Sequence, residues 1–491
     1  MVSKYSFRLR SEPLLEAKLK PFAYQEEAAD FVASREYAAV FHEQGLGKTK
    51  IAIDAALQWL RRQEVDTVLI FTKKGLIANW QREFRQHSHL QPLVLSDESR
   101  KNYYVFTTPT RLVLAHFEVA KKEEKRLAAW MKSRRVAVII DEAAKIKNPS
   151  TDLTKAFFRL AQNAKKRVIM TGTPVANRPF DVWSQVYFLD HGTSLGTDFA
   201  TFKKETDLLR ELKDDPDEFK AFQRRLQNIR HSIADFSIRE TKDGGRITLP
   251  SKEYNAVECD WEAAQFALYR QVKEELRAVV LRNGKLVEED QESILKRLLR
   301  LIQIASNPRL VDEGYSKEPG KFAKLYELIT DISRQGEKAI VWTSFNANSA
   351  WLTEKLSPFG AIMLNGTMPM DRRNETVRWF LENPADQILV ATPGAAKEGL
   401  TLTVANHVIF YDRTYSLDDY LQAQDRIHRV CQTKTCYVYN LLMRDSVDEW
   451  VDSLLIEKRL AAQLAQGDIA VEQYAAKASL SFFEILTRIL Q

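Results

Sequence analysis

A glycine-containing loop near the start of the chain carries residue types that bind phosphate. The segment 42–50 reads HEQGLGKTK, follows a short apolar run and precedes the amphipathic stretch IAIDAALQWL. In such an arrangement, backbone N–H groups and the helix N-terminus bind phosphate oxygens, and glycines permit the close approach. The candidate nucleotide ligands of this loop are Gly45, Leu46, Gly47, Lys48 and Thr49. Lys48 would reach the β- and γ-phosphates of ATP and Thr49 would ligate Mg²⁺, so the pattern predicts a Walker-type site.

A pair of carboxylates ends a later apolar run. The segment VAVIIDEAAKIKN (136–148) is typical of a buried strand that finishes at Asp141 and Glu142. A carboxylate at the C-terminal end of a strand beside a phosphate loop suits a contact to hydrated Mg²⁺, the role predicted for Asp141. Glu142 is then placed to orient and deprotonate the attacking water. An isolated Asp–Glu pair would be a solvated strand end, but its order after the glycine loop favours nucleotide hydrolysis. His42 stands where the full Walker pattern has a further glycine.

Short β-branched runs that alternate with helical stretches would position these residues. The runs lie at 38–41, 67–71, 103–106, 136–140 and 167–170 in a first region, and at 338–345, 361–364, 387–391, 407–412 and 436–441 in a second. Continuous apolar runs of this length between helices indicate parallel strands buried on both faces. The sequence therefore predicts an α/β protein with two doubly wound parallel-sheet lobes.

The chain is too long, at 491 residues, for one hydrophobic core. We expect an N-terminal ATP-binding lobe over 1–190 and a second lobe over 322–454. The charged, helix-patterned region 191–321 is predicted to form helical protrusions and an inter-lobe linker, with a turn and extended segment at 242–252. Residues 455–491 are again helix-patterned and are predicted to form a C-terminal helical brace.

Composition limits the class of protein. The formal net charge of +6 and the pI near 8.9 fit a polyanionic partner, although a basic surface kept for solubility gives the same balance. Cys259, Cys431 and Cys436 are too few for a disulfide framework, and Cys431 and Cys436 lack a second ligand pair for a metal. The N-terminal segment has no signal-peptide core, and no stretch has the roughly 20 apolar residues of a membrane span. We therefore expect a cytoplasmic protein. Nothing in the chain resembles a chromatin reader, a nuclease or a zinc module, which favours a bacterial or viral origin.

Further motifs of the first region, taken with the loop and the carboxylates, resemble those of the Swi/Snf-type DNA translocases of helicase superfamily two. LKPFAYQEEAADFV (19–32) resembles the glutamine motif, in which Gln25 would recognise the adenine edge. LIFTKKGLIANWQREF (69–84) has the Asn-Trp-x-x-Glu ending of the next motif, with Trp80. MTGTPVANRPFDVW (170–183) resembles the segment that couples nucleotide to nucleic acid. Its matching residues include Thr171, Gly172 and Thr173.

The second region resembles the same family. ILVATPGAAKEGLTL (388–402) resembles the fifth motif and implies that Gly399 lies near the nucleotide. YLQAQDRIHRVCQ (420–432) resembles the sixth, and spacings of three and four place Gln422, Arg426 and Arg429 on one helical face. The resemblance implies that the two arginines cross the nucleotide cleft as arginine fingers. The segments LPSKEYNAVECDWEAAQFALY and LIQIASNPRLV favour the Swi/Snf subgroup over strand-separating relatives.

The resemblance also implies two RecA-like lobes crossed by a nucleic-acid duplex opposite the ATP cleft. Contacts would run mainly from backbone amides and hydroxyls to phosphates, which carry position and not base sequence. The candidate contacts are Thr72, Lys73, Thr107, Thr108, Thr343, Ser344, Asn365, Gly366 and Thr392. A threonine at a strand end also serves as a cap, so each of these residues alone has a structural alternative.

The function implied by the resemblance is ATP- and Mg²⁺-dependent movement along double-stranded DNA without strand separation. The sequence predicts a monomer and allows a protein partner. Two departures from the family pattern are Ala144, where relatives have His, and Cys431, where they have Gly. Ala144 puts the coupling of hydrolysis to movement in question. An ATP-gated nucleic-acid-binding switch therefore stays open as an alternative. A conventional strand-unwinding helicase is a second alternative.

Overall fold

The computed structural model describes residues 9–172, 174, 179–206, 216–242, 244–247, 249–282, 285–286, 291–384, 387–396, 400–466, 468–469 and 473. Within these ranges the chain divides into two compact units. The first comprises the described residues up to 247 together with those of 462–469. The second comprises those of 249–461 together with Gln473.

A parallel sheet forms the centre of the first unit. Its strands are β1 (Tyr37–Val40), β2 (Thr67–Thr72), β3 (Leu93–Leu95), β4 (Leu112–His116), β5 (Val136–Asp141), β6 (Lys166–Met170) and β7 (Ser237–Ile238). In the described chain the strand order is β3-β4-β2-β5-β6-β1-β7, and all adjacent strands are parallel. Because β5 and β1 flank β6 and all three strands are parallel, the C-terminal ends of β5 and β1 lie at the same edge of the sheet.

Helices cover this sheet and give it two hydrophobic cores. They are α1 (Ala23–Ala33), α2 (Lys48–Arg61), α3 (Ile77–His87), α4 (Ser99–Thr107), α5 (Phe117–Lys122), α6 (Glu124–Lys132), α7 (Asp152–Ala161), α8 (Val182–Asp190), α9 (Phe199–Thr206) and α10 (Pro216–Ile233). Side chains of β2 alternate between the cores: Val68 and Ile70 belong to one, Leu69 and Phe71 to the other. This alternation is why the strand reads as a continuous apolar run.

A second parallel sheet forms the centre of the second unit. Its strands are β8 (Lys252–Cys259), β11 (Ala339–Trp342), β12 (Ala361–Leu364), β13 (Ile388–Ala391), β14 (His407–Phe410) and β15 (Cys436–Met443). Two further strands, β9 (Leu281–Arg282) and β10 (Lys285–Leu286), form a separate short antiparallel hairpin. Over the residues that the structure describes, the order in the main sheet is β12-β13-β11-β14-β15-β8, all parallel.

The helices of the second unit complete the doubly wound arrangement. They are α11 (Ala263–Val280), α12 (Gln291–Ser306), α13 (Gly320–Arg334), α14 (Asn346–Lys355), α15 (Met370–Glu382), α16 (Pro393–Ala396), α17 (Leu417–Gln424) and α18 (Val447–Gln466). The residues of α18 up to 461 belong to this unit. The predicted fold class, two α/β lobes with parallel sheets, is confirmed.

One predicted strand is wrong. Residues 103–106 lie in helix α4, where Asn102 and Val105 are buried and the tyrosines between them are exposed. A short aromatic and β-branched run does not by itself distinguish a strand from a helix with one buried face. The neighbouring strand is instead β4, which pairs with β2. Thr107 is therefore the last residue of a helix and Thr108 follows it. The strand that suggested their contact with nucleic acid is absent at these described residues.

The region 191–321 is not purely helical. Near its middle, β7 pairs with β1 of the first sheet, and β8 pairs with β15 along the edge of the second. The predicted linker at 242–252 lies between these two strands and ends in β8. The predicted C-terminal element at 455–491 falls partly in α18, which begins at Val447, and residues 474–491 lie outside the described residues.

The three cysteines are free thiols, two of them buried (Cys259 and Cys436) and one exposed (Cys431). Among the described residues, no cluster of His, Cys, Asp and Glu side chains is arranged to hold a metal ion by itself. In the same part of the chain, no helix combines the length and the apolar composition that a bilayer crossing requires.

Candidate nucleotide site

The glycine loop forms a turn between β1 and α2 in the first unit. Gly45 and Gly47 have φ of 86° and 74°, in the left-handed region that side chains disfavour, so both positions require glycine. Helix α2 begins at Lys48, which directs the N-terminus of a long helix at the turn. The Lys48 ammonium donates hydrogen bonds to the carbonyl oxygens of His42, at 2.8 Å, and Glu43, at 3.1 Å. The lysine thus lies over the loop.

The Asp141 carboxylate lies at the end of β5 and is held by two side chains. Thr72, at the end of neighbouring β2, donates its hydroxyl hydrogen to Oδ2 at 3.1 Å, and the Trp80 indole N–H donates at 2.9 Å. Burial and the adjacent Glu142 carboxylate raise the pKa of Asp141 to about 6, against opposing effects of Trp80 and Lys48. Two adjacent acidic groups at a buried strand end favour a cation beside them.

Glu142 ends the strand abruptly. Its φ of 56° is a left-handed conformation that non-glycine residues rarely adopt, and a short 3₁₀ turn follows. Its Oε1 accepts a hydrogen bond from the Gln44 side-chain amide at 3.3 Å. Gln44 belongs to the glycine loop, so the predicted water-activating carboxylate contacts the loop that is predicted to bind the triphosphate.

Gln44 also contacts the predicted coupling segment. A Cβ added at Gly172 would lie 2.9 Å from Gln44 Cγ and 3.0 Å from its backbone nitrogen, so only glycine fits there. Thr171, which precedes it, is buried and donates its backbone N–H to the Val40 carbonyl at 3.1 Å. Thr173 lies outside the described residues. Sequence reasoning did not single out Gln44, which the structure places against both Glu142 and the coupling segment.

The residues described so far, which we call the half-site, are the glycine loop with Lys48 and Thr49, and the Asp141–Glu142 pair. They fit a magnesium nucleotide. The left-handed glycines leave backbone N–H groups and the helix N-terminus for phosphate oxygens, and Lys48 supplies an ammonium group. Thr49, the second residue of α2, supplies a hydroxyl, and Asp141 supplies a carboxylate, and both groups would bind a hydrated Mg²⁺. Gln25, the predicted adenine contact, lies against the same loop at Leu46.

The second unit holds the predicted arginine fingers, but not on a helix. Helix α17 ends at Gln424, so only Gln422 lies on it, and Arg426 and Arg429 occupy the turns that follow. Backbone bonds there join residues three apart, from Arg426 N–H to the Ala423 carbonyl and from Ile427 N–H to the Gln424 carbonyl. The prediction of one helical face is therefore wrong, because tightening of the last turn ends the 3.6-residue period.

Hydrogen bonds to nearby residues shape this arginine segment. Arg429 donates to Thr401 Oγ1 at 2.7 Å and to the Asp425 carbonyl at 3.0 Å. The Gln422 amide donates to Asp418 Oδ1 at 2.9 Å. Gly399, predicted to lie near the nucleotide, is outside the described residues.

Strand β8 supports the same segment from its other side. Lys252 forms an ion pair with Asp425 at 3.1 Å, and the Tyr254 hydroxyl donates to Gln424 Oε1 at 2.9 Å. The His428 imidazole lies 2.9 Å from the Pro250 carbonyl. These partners fall in the LPSKEY stretch, which the sequence assigned to a linker. Lys252 and Tyr254 are two residues apart, a spacing that puts both side chains on the same face of a strand. This spacing was the sequence signal that could have indicated an edge strand.

Several predicted nucleic-acid contacts have side chains engaged within their own unit. The hydroxyl of Thr72 donates to Asp141, and that of fully buried Thr343 donates to Asp412 Oδ2 at 2.5 Å. Ser344 donates its backbone N–H to Asp412 Oδ1 at 2.7 Å. These groups fix strand ends and are not available to a phosphate in this arrangement.

The remaining candidates differ in exposure. The Asn365 amide donates to Ser349 Oγ at 3.0 Å and is buried, whereas Gly366 beside it is exposed. Thr392 is buried, and its backbone N–H donates to the Leu364 carbonyl. Lys73 is half-buried after β2. The hydroxyl of exposed Thr107 donates to the Tyr103 carbonyl at 2.9 Å.

Comparison with known proteins identifies relatives over most of the chain. The SNF2-related domain matches residues 24–310, and the Helicase conserved C-terminal domain matches residues 320–431. The putative ATP-dependent helicase/translocase YwqA of Bacillus subtilis is 27% identical, over 88% of this chain and 47% of its own length. An uncharacterized ATP-dependent helicase of Mycoplasma pneumoniae is 26% identical, over 89% of this chain and 41% of its own length. The chain thus spans less than half the length of these curated relatives.

Two further comparisons cover nearly the same region. The DNA repair and recombination protein RAD54-like of Gallus gallus is 26% identical, over 89% of this chain and 66% of its own length. The Sulfolobus solfataricus SWI2/SNF2 ATPase core in complex with dsDNA is 24% identical with a TM-score of 0.43, over 97% of this chain and all of that one. Because the SNF2-related domain alone matches more than half of the 491 residues, the chain belongs to the SNF2-related family.

Proposed function

We propose that this chain is a double-stranded-DNA-dependent ATPase that moves along the duplex without separating its strands. The observation that carries the proposal is the convergence, at one edge of the first sheet, of the glycine loop, the Asp141–Glu142 pair and Gly172 through Gln44. A motor needs such a junction, because the state of the nucleotide must reach the segment that responds to nucleic acid. Family membership and the helicase/translocase name of the Bacillus relative support the same reading.

In the proposed reaction, each residue of the half-site has one task. Lys48 and the loop N–H groups bind the β- and γ-phosphates, and Thr49 and Asp141 would hold a hydrated Mg²⁺, which would offset charge on the phosphate oxygens. Glu142 orients the attacking water and accepts its proton. Arg426 and Arg429 are proposed to stabilise charge on the transferred phosphoryl group, and Gln422 to support them.

The proposed nucleic-acid contact rests mainly on the polypeptide backbone. The hydroxyls of Thr72 and Thr343 and the Ser344 backbone N–H have partners within their own units, so the backbone near Lys73 and around exposed Gly366 is proposed to meet phosphates. Backbone contacts of this kind carry no base sequence. Binding should therefore show little sequence preference and weaken steeply with salt.

The first test measures ATP hydrolysis with no nucleic acid, single-stranded DNA, duplex DNA and RNA in parallel. We expect the largest stimulation with duplex DNA. Glu142→Gln should reduce the stimulated rate by about 10²–10⁴ while nucleotide still binds, since a general base contributes that much. Lys48→Ala should weaken nucleotide binding itself. Hydrolysis that is indifferent to all four conditions would contradict the proposal.

The second test separates movement from unwinding. Displacement of a third strand from a triplex reports travel along duplex DNA, whereas opening of a forked substrate reports strand separation. We expect triplex displacement without fork opening. Fork opening without triplex displacement would establish a conventional helicase. Hydrolysis with neither activity would establish an ATP-gated switch, the outcome that Ala144 in place of the family's histidine makes worth testing.

A further inference from the structure

Arg426 and Arg429 lie on a segment of turns, residues 425–431, which we call the arginine segment. It follows α17, which ends at Gln424. In an α-helix, hydrogen bonds between residues four apart fix the direction of every side chain. The shape of a segment of turns depends more on contacts with its surroundings. The direction of the two guanidinium groups therefore depends on the residues of the second unit that hold this segment.

Lys252 holds the first residue of the arginine segment. Its ammonium lies 3.1 Å from Asp425 Oδ1, and the two side chains are only 16% and 14% exposed. Burial by itself lowers the pKa of Lys252, but the Asp425 carboxylate and Tyr254 outweigh it and raise this pKa above the usual lysine value, so the cation is kept. The Asp425 carbonyl in turn accepts the Arg429 Nε hydrogen at 3.0 Å. The ion pair thus fixes a residue that binds one arginine and precedes the other in the chain.

Two more contacts join the same strand to this part of the chain. The Tyr254 hydroxyl donates to Gln424 Oε1 at 2.9 Å, and His428 Nε2 donates to the Pro250 carbonyl at 2.9 Å. Pro250, Lys252 and Tyr254 alternate along the chain, so they share one face of an extended strand. Strand β8 is paired with β15 along all eight of its residues. It is therefore a firm support with one face against the arginine segment.

We propose that Lys252 is a positioning residue for Arg426 and Arg429, acting through its ion pair with Asp425. The proposal rests on the proposed function, in which these arginines stabilise charge on the transferred phosphoryl group. Lys252 itself is not assigned a contact with the nucleotide. Its loss should therefore lower the turnover of ATP and leave the affinity for ATP as it is.

The first experiment compares Lys252→Met with the natural chain. It measures turnover at saturating duplex DNA and Mg–ATP, and separately the dissociation constant of ATP, at a temperature where both chains are folded. We expect turnover to fall by about 10- to 100-fold, the loss that misplacing catalytic groups by about 1 Å produces. The dissociation constant should stay unchanged. Unchanged turnover, or a loss of ATP binding in place of turnover, would overturn the proposal.

Two other lysine variants test whether this ion pair is the cause. Lys252→Arg keeps a cation beside Asp425 and should lose less turnover than Lys252→Met; equal losses would overturn the proposal. Lys355→Met is the matched control, because it removes another ion-paired lysine of the same unit, whose ammonium lies 2.6 Å from Glu318 Oε1. It should keep the natural turnover. A loss as large as that of Lys252→Met would overturn the proposal, since any broken ion pair would then suffice.

A combined variant separates positioning from a general effect on the fold. In a chain that carries both Arg426→Ala and Arg429→Ala, the groups that Lys252 is proposed to position are absent. Adding Lys252→Met to that chain should change the residual rate of hydrolysis by less than about twofold, because effects that act through the same groups do not add. A further loss as large as in the natural chain would overturn the proposal, since a lysine that only stabilises the fold acts in both backgrounds.

Tyr254→Phe keeps the proposal testable if Lys252→Met does not fold. It removes only the hydroxyl that binds Gln424, on a side chain that is 44% exposed. Turnover should fall by about two- to fivefold, as for one lost hydrogen bond, and no fall would overturn the proposal. If Arg426→Ala and Arg429→Ala keep the natural turnover, their assignment in the proposed function fails and this inference fails with it. If they lose turnover and Lys252→Met does not, only this inference fails.

Discussion

At the scale of single residues, the motif identifies the Asp141 carboxylate, but the fold supplies the hydrogen bonds that orient it. The motif places an Asp–Glu pair after an apolar run, and the Mg²⁺ contact predicted for the first carboxylate follows from that order. The hydrogen bonds to it from Thr72 and Trp80 come from a neighbouring strand and from α3. Residues that orient a metal-binding carboxylate in this way commonly affect metal affinity as strongly as the ligands do.

Replacing Trp80 with Phe should therefore raise the Mg²⁺ concentration needed for half-maximal hydrolysis by about tenfold. The change removes the N–H that donates to Asp141 and leaves an aromatic ring against Phe84. Trp59→Phe is a matched control, since Trp59 is equally buried in the same unit but donates to the Ala33 carbonyl. A similar Mg²⁺ requirement in both variants would show that the Trp80 contact does not act on the metal.

The buried His42 imidazole should make the stability of the folded chain depend on pH. Burial, and next the charge of Lys48, lower its pKa to about 3, although the Ile238 backbone opposes this. Between about pH 6.5 and 3 the unfolded chain binds a proton that the folded chain does not, so stability falls as the pH falls through this range. At pH 5 the loss should be about 2 kcal/mol.

His42→Gln removes that proton-binding difference. Its thermal midpoint should change less between pH 7.5 and pH 5 than the midpoint of the natural chain, measured without nucleotide. His89→Gln, which alters an exposed imidazole of the same unit, should leave the pH dependence as it is. Parallel pH profiles for the natural chain and His42→Gln would contradict the argument.

At the scale of elements, a buried lysine joins three parts of the second unit. Lys321, in the first turn of α13, is fully buried and donates to the Tyr411 carbonyl, just after β14, at 3.0 Å. It also forms an ion pair with Asp448 of α18 at 2.6 Å, and Asp448 accepts the Met443 N–H at the end of β15. The charge pattern of α13 does not reveal this, because an amphipathic helix normally turns its lysines to solvent.

Lys321→Met should lower the free energy of unfolding of the second unit by about 3 kcal/mol or more. The substitution keeps the side-chain length but leaves Asp448 buried without its counter-ion, which is the costly way to break such a pair. Chemical denaturation of the full chain measures the effect. Lys324→Met, one turn further along α13, removes a lysine whose side chain is about half exposed and pairs with Glu327, so it should cost far less stability than Lys321→Met. Equal costs for the two variants would contradict the role given to Lys321.

At the scale of the whole molecule, the proposed function requires residues from both units. Arg426→Ala and Arg429→Ala should each reduce duplex-stimulated hydrolysis by about 10³ or more, while the dissociation constant of ATP changes little. Such a result would show that the second unit acts on the transition state and not on ground-state binding. Arg444→Ala, an exposed arginine of the second unit, is the control. Loss of ATP binding in the two finger variants, or no loss of hydrolysis, would refute this division of tasks.

The sequence by itself determined the fold class, most strands of both sheets, and which residues are the candidates for a phosphate loop and a metal-binding carboxylate. These follow from local signals: buried parallel strands are continuous apolar runs, and a glycine loop must adjoin its lysine and threonine along the chain. Only the tertiary structure decided that 103–106 is helical, that β8 is an edge strand, and that α17 ends before Arg426. It also decided the partners of Asp141, Gln25 and Lys321. Those outcomes depend on contacts between residues far apart in the chain, which a local pattern does not encode.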